Sequence, residues 1–168
     1  LQINNSTAGS ISIDNGAADL TIVAGGIQNL ATGTTDSIVI NNVGGAVTVN
    51  GLIDARGGNV TLANTGSGAD VTVNTDIFAQ GTGADITLTA DRDLVINGTS
   101  IGGAGVEVIS NSGDVSLSAQ NDIRIIAGTL ANQVAQVNAG NYLSAYANNS
   151  LLLQAGSALN TRATLSSA

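Results

Sequence analysis

Twelve acidic side chains, eleven Asp and one Glu, and four Arg are the only charged side chains that the 168-residue sequence offers for chemistry, and their placement is periodic. Asp70, Asp93 and Asp122 each stand immediately before an apolar-alternating run, and Asp85 and Asp114 do the same before a second set of runs. Carboxylates that recur at strand entries can accept turn N–H groups. Where several converge, they can instead supply the oxygen ligands of a hard cation such as calcium.

The segments GSGADV and GTGADI, around Asp70 and Asp85, offer one comparison with a calcium-binding nonapeptide, G-G-x-G-x-D-x-U-x. They depart from it in spacing, 15 residues instead of nine, and in placing Thr72 and Thr87 where the motif needs an apolar residue. Turn capping is the favoured role and no cofactor is expected. A calcium site on Asp70, Asp85, Asp93, Asp114 and Asp122 is the weaker alternative.

Other chemistry lacks its reagents. There is no Cys and no His, so thiolate zinc sites, disulfides, Ser-His or Cys-His nucleophiles and an imidazole proton shuttle are all excluded. Asp54 with Arg56 is the one charged pair on its turn, too thin a set for acid–base chemistry of the pectin lyase type, so no enzyme is expected. Arg56, Arg92, Arg124 and Arg162 are scattered, and with no Lys and a net charge of −8 the chain is not expected to bind nucleic acid. Arg92, flanked by Asp91 and Asp93, reads as a source of exposed ion pairs. Gly102-Gly103-Ala104-Gly105 lacks the Lys and helix of a phosphate loop and reads as a widened corner.

The uncharged polar residues are also in columns. Asn50, Asn74 and Asn97 align as a ladder of amides at a corner, ending at Ile126. Thr61, Thr87 and Ser116, with Thr48 and Thr72 on a neighbouring face, form hydroxyl rows of the sort an ice-binding face would need, but Val95, Arg124 and Leu152 interrupt the second row. Phe78 and Tyr146 are expected to point outward, either as ordinary single aromatics or as sugar-stacking platforms. The N-x-[ST] matches at Asn4, Asn5, Asn97 and Asn148 carry no assigned role.

The elements that position these residues follow from alternation. Val47-Thr48-Val49, Val60-Thr61-Leu62, Val71-Thr72-Val73, Ile86-Thr87-Leu88, Leu94-Val95-Ile96, Val115-Ser116-Leu117 and Ile123-Arg124-Ile125 each put apolar side chains on one face. No 3.6-residue period is sustained, so helix is not expected. The chain also aligns with itself, with copies starting near residues 1, 20, 47, 71, 94, 123 and 151, that is, 19 to 29 residues apart.

Each copy holds two or three short strands with turns of variable length, which a solenoid tolerates and a hairpin meander does not. The expected fold is all-β, a right-handed parallel β-helix of six or seven coils forming a single domain over 1–168. It would be a rod roughly 30 Å long at ~4.8 Å per coil. Two inward columns follow, Val47, Val71, Leu94, Ile123, Leu151 and Val49, Val73, Ile96, Ile125, Leu153. A second face stacks Val60, Ile86, Val115 and Leu143, then Leu62, Leu88, Leu117 and Ala145. A third stacks Ile53 on Ile77 and Ala55 on Ala79.

The segments GGNVTLANTGSGADVTVNTDIFAQG, ADITLTADRDLVINGTS and SGDVSLSAQNDIRIIAG resemble the shaft repeats of filamentous haemagglutinin-like proteins, bacterial passengers of two-partner secretion. The resemblance covers roughly residues 20 to 165. It implies an exported, extracellular or cell-surface rod that carries adhesive regions outward. The function expected is structural or adhesive: reach, stiffness and display. The alternative is a calcium- or carbohydrate-binding β-helix module. Open strand edges imply pairing with flanking coils of a longer chain or end-to-end self-association, with a cell-surface or glycan target as a further partner. No apolar run approaches the ~20 residues of a transmembrane helix, so no membrane insertion is expected. No charged leader region precedes an apolar run at Leu1, so the segment reads as a mature piece or a fragment.

Overall fold

The computed structural model describes residues 1–99 and 103–168, and in them the chain winds through six turns of three strands each. The first turn is β1 (Ile3–Asn5), β2 (Ile11–Asn15) and β3 (Leu20–Ile22). The second is β4 (Ile27–Asn29), β5 (Ile38–Asn42) and β6 (Val47–Val49). The third is β7 (Ile53–Ala55), β8 (Val60–Asn64) and β9 (Val71–Val73). The fourth is β10 (Ile77–Ala79), β11 (Ile86–Ala90) and β12 (Leu94–Asn97). The fifth is β13 (Gly105–Ser110), β14 (Val115–Ala119) and β15 (Asp122–Ile126). The sixth is β16 (Val134–Ala139), β17 (Leu143–Ala147) and β18 (Ser150–Gln154), after which β19 (Ala163–Ser167) returns onto β16.

Every strand pairs in parallel with the strand three places along the chain, which generates three sheets of seven, six and six strands. The described residues contain no helix. This is a parallel β-solenoid, and it arises because a single turn has no partner for its own strands: each N–H and C=O must be satisfied one turn up or down.

Alternation decides which side chains enter the core. In the third sheet Val47 stacks on Val71, Leu94 and Ile123, and Val49 on Val73, Ile96 and Ile125. In the second, Ile38, Val60, Ile86 and Val115 form one column and Ile40, Leu62, Leu88 and Leu117 the next. In the first, Ile27, Ile53, Ile77, Val108 and Val137 are aligned. All of these are buried. Each buried Val, Leu or Ile contributes about 1.5–3 kcal/mol of transfer free energy, so an added turn is stabilised chiefly by the aliphatic side chains it stacks. Gly26 marks a place where the turns close tightly. It sits at φ +69°, and a Cβ there would lie 2.1 Å from the Leu52 carbonyl oxygen, so only glycine fits.

Two expectations are corrected. Leu1 does not head a copy stacked on Leu20: its N–H group donates to the Thr21 carbonyl and its own carbonyl accepts from Val23, which sets Leu1 beside Ile22. Ile3, two residues on, already belongs to the first sheet and pairs with Ile27. The slip is by two residues, and a two-residue slip leaves the inward parity unchanged, so alternation alone carries no signal against it. Leu151 and Leu153 take the expected register on Ile123 and Ile125 but are 45% and 42% exposed, because β18 is the outermost strand of its sheet and nothing lies over it. Leu143 and Ala145 on β17 are half-buried for the same reason. Gly102 of the expected glycine corner lies outside the described residues; Gly103 and Gly105 are at φ +83° and +102°.

Candidate functional site

Polar groups recur once per turn along most of the rod, and the acidic residues belong to that pattern. At the entry to each strand of the second sheet, a side-chain oxygen accepts the backbone N–H of the equivalent residue in the next turn. Ser10 Oγ accepts from Ser37 (3.1 Å), Ser37 Oγ from Asn59 (3.1 Å) and Asn59 Oδ1 from Asp85 (2.9 Å). Asp85 Oδ1 then accepts from Asp114 (2.8 Å) and Asp114 Oδ1 from Tyr142 (3.0 Å).

The third sheet does the same. Asp19 accepts from Ala46 (2.8 Å), Asp70 from Asp93 (3.2 Å), Asp93 from Asp122 (3.2 Å) and Asp122 from Ser150 (3.1 Å). Ala46, with no side-chain oxygen, is the one break. The geometry is that of a capping interaction transposed from a turn to a stack: the strand-entry N–H has no ladder carbonyl and takes a side-chain oxygen from the turn before it.

Like charges one strand spacing apart repel, and the structure shows what offsets the repulsion. Arg92 reaches past its sequence neighbours Asp91 and Asp93 to grip Asp70 one turn away through Nε and Nη2. Arg124 lies 2.6 Å from Asp93 and 3.5 Å from Asp122, so cations alternate with the carboxylates along the column. The Arg92 guanidinium, first by its hydrogen bonds and with help from the Asp93 N–H, holds the Asp70 carboxyl below its ordinary pKa against the opposing effect of burial. The Ser150 hydroxyl and the Asn149 amide, with Arg124 adding to them, lower that of Asp122.

The turns GSGADV and GTGADI close by Ala69 N–H to Gly66 C=O (3.0 Å) and Ala84 N–H to Gly81 C=O (3.1 Å), with Gly68 and Gly83 at positive φ. That is the hydrogen bonding of tight turns with glycine where φ must be positive. Among the described residues no three acidic groups come together around a common point. The carboxylates of Asp70, Asp85, Asp93, Asp114 and Asp122 each accept at least one N–H from a neighbouring turn.

The amide ladder is present at the expected corner: Asn74 Nδ2 donates to Asn50 Oδ1 (2.9 Å) and Asn97 Nδ2 to Asn74 Oδ1 (3.1 Å), and Ile126 follows Asn97 in register. Two deeper ladders were not legible. Asn15, Asn42 and Asn64 stack at the ends of β2, β5 and β8, with Asn15 donating to Asn42 (2.5 Å) and Asn42 to Asn64 (3.2 Å). Asn5 donates to Asn29 (3.0 Å) at the ends of β1 and β4. Asn29, Asn42 and Asn64 are fully buried. A signal for the first existed: each of its Asn stands four residues after the start of its strand, on the inward parity, where a polar residue is unexpected. From the fourth turn the same position is Ala90, Ala119 and Ala147.

Outside the ladders the faces are mild. The hydroxyl row Thr61, Thr87, Ser116 and Ser144 is continuous on the second sheet and is bounded by Val39, while Thr21, Thr48 and Thr72 give way to Val95, Arg124 and Leu152 on the third. Phe78 points outward in register with Asp54, half-buried; Tyr146 is exposed. Asp54 is itself buried on the outer face, accepting from Gln80 Nε2 at 2.6 Å with Arg56 at 3.9 Å. No helix among the described residues is long and apolar enough to cross a membrane.

Compared with protein-family models, with curated proteins and with solved structures, the chain gives no match.

Proposed function

We propose that this chain is a shaft segment of an extracellular bacterial solenoid of the filamentous haemagglutinin-like kind, and that its function is reach, stiffness and display for adhesion. The observation that supports the reading is the strand-entry relay. Every turn satisfies its backbone and its entry N–H groups almost wholly from the adjacent turns, so the molecule is a one-dimensional stack whose interactions repeat along one axis. A stack of that kind transmits force through parallel hydrogen-bonded columns and can be lengthened without redesign. Its outer faces are Thr, Ser, Asn and Gln with few charges, which suits a spacer better than a reaction centre.

The half-exposed Leu143, Leu151, Leu153 and Leu165 on the outermost strands suit contact with a further coil, of the same chain or of another copy. The test is electron microscopy and concentration-dependent light scattering of the purified chain, with and without EDTA. Rods or filaments with a ~4.8 Å axial repeat that are indifferent to chelation support the shaft reading. Particles that unfold on chelation would replace it with a calcium-dependent module.

A further inference from the structure

The charges of this chain are segregated along the rod. All twelve acidic residues lie at or before Asp122, and beyond it the sequence carries Arg124 and Arg162 and no acidic residue. The sixth turn and β19 therefore carry Arg162 as their one charged side chain, in a chain of net charge −8. Arg124 is engaged by Asp93 and Asp122. Arg162 is exposed, and among the described residues it has no carboxylate within 4.0 Å and no hydrogen-bond partner for its guanidinium.

Arg162 lines a cleft of about 480 Å³ together with Asn132, Val134, Asn160 and Thr161, within the ~300–1,000 Å³ range of small-ligand sites. The cleft forms where the corner between the third and first sheets is stacked on itself. Arg162 immediately precedes β19, and its neighbour across the pairing is Val134, so the guanidinium rises from the outer face of the first sheet beside an apolar side chain. Asn132 and Asn160 occupy equivalent positions one turn apart, at φ +65° and +61°, and are the two non-glycine residues of the described chain in the left-handed region.

Asn tolerates that region better than most residues, yet two such positions stacked at the rim of one cleft turn both side-chain amides to the same place. Asn160 Nδ2 donates to Asn132 Oδ1 at 3.0 Å, which fixes the amide orientation and leaves the Asn132 Nδ2 donors without a partner among the described residues. The Thr161 hydroxyl donates to the Ala158 carbonyl at 2.8 Å, so its oxygen lone pairs remain available as acceptors. Leu130 and Leu159, in the same two turns, are 64% and 75% exposed.

We propose that this cleft binds a carboxylate-bearing pyranose, a sugar of the uronic or sialic acid class. The guanidinium of Arg162 matches a carboxylate bidentately. The Asn132 amide donors and the Thr161 oxygen suit ring hydroxyls, which both accept and donate. Val134 offers the apolar contact that the C–H face of a pyranose requires. Neither a neutral sugar nor a bare carboxylate uses the whole set. The proposal goes beyond the shaft reading.

The test is a titration of the ¹⁵N-labelled chain followed by amide chemical shifts at constant ionic strength. The probes are glucuronate, galacturonate and N-acetylneuraminate, with glucose and acetate as comparators. An acidic sugar should perturb the amides of residues 130–134 and 158–163 with a Kd on the order of millimolar, the range a monosaccharide-sized ligand reaches. Arg162→Ala should weaken binding on the order of tenfold or more, the loss expected for a charge-assisted pair. Arg124→Gln, on the third sheet, should leave it unchanged. No perturbation at tens of millimolar, or unchanged binding by Arg162→Ala, would overturn the site. Equal binding of glucose would overturn the role of the carboxylate, and equal binding of acetate that of the sugar. Because Arg162 is exposed and makes no ion pair among the described residues, its substitution should leave the thermal midpoint in place, so lost binding will not be mistaken for lost fold.

Discussion

Replacing Asn64 with Ala asks whether the buried amide ladder stabilises the stack or merely occupies it. The Asn64 amide donates to the carbonyls of Gly45 (3.1 Å) and Asp70 (3.0 Å), and its Oδ1 accepts from Asn42 Nδ2 (3.2 Å) and Gly66 N–H (3.4 Å). Both carbonyls keep another donor in the variant, Gly45 from Asn42 at 2.6 Å and Asp70 from Val47 at 2.9 Å. The Gly66 N–H and one Asn42 N–H do not, and each buried donor left without a partner costs about 1–3 kcal/mol.

Alanine is native at the paired position one turn on, Ala90, so the backbone accepts it and the cost is almost wholly that of the orphaned donors. We expect a loss of about 2–4 kcal/mol, two such donors, partly relieved by local relaxation. At about 2–4 °C per kcal/mol for a chain of this size the thermal midpoint falls by about 4–16 °C. Asn74→Ala, in the half-buried outer ladder where water can take over, should cost under about 1 kcal/mol. Scanning calorimetry and urea unfolding read both. The double variant Asn42→Ala/Asn64→Ala should cost less than the sum of its parts, because Asn42 no longer presents an orphan. Equal midpoints for Asn64→Ala and Asn74→Ala, or strict additivity in the double variant, would refute this account of the ladder.

Val73→Asp, which places an unpaired charge among fully buried side chains, should cost several kcal/mol, on the order of 3–5, while Thr72→Asp on the outward side of the same strand should stay within about 1. Equal damage in urea unfolding would mean the inward parity is wrong. Gly26→Ala, at φ +69° and 2.1 Å from the Leu52 carbonyl, should destabilise by more than about 2 kcal/mol, whereas Gly16→Ala, with nothing within 4 Å, should leave the thermal midpoint nearly unchanged.

Acid should weaken the relay in the third sheet. The carboxyls of Asp70 and Asp122 titrate below 3.8 when folded, so their contribution is complete above that value and is lost as pH falls through the lowered folded pKa values. Relief of the net charge of −8 acts in the opposite sense, so the informative quantity is the difference between the native chain and Asp70→Asn. Circular-dichroism melts between pH 5 and 2 should show a shallower acid loss in the variant, and identical pH profiles would contradict the assignment.

Much of the fold was legible because a period of two and a period of about 25 residues are both one-dimensional properties. Val71-Thr72-Val73 has to put its valines on one side, and copies that cannot bury that side alone have to stack, which yields parallel sheets and the columns through Val47, Leu94 and Ile123. The same logic located the strand-entry carboxylates and the ladder of Asn50, Asn74 and Asn97.

What alternation cannot encode is anything that depends on distance between turns or on what lies above a strand. Leu1 slips two residues to lie beside Ile22, since a slip of two keeps parity. Leu151 and Leu153 keep their register yet remain exposed, since burial needs a further layer. Arg92 prefers Asp70, one turn away in space, to the aspartates beside it in the chain. The amides of Asn42 and Asn64 are buried because their strands end where turn carbonyls converge, and Arg162 meets Asn132 and Asn160 only because two turns distant in sequence are stacked at one corner. Local periodicity specifies which face a side chain takes; the partner it finds there depends on the turn that packs against it.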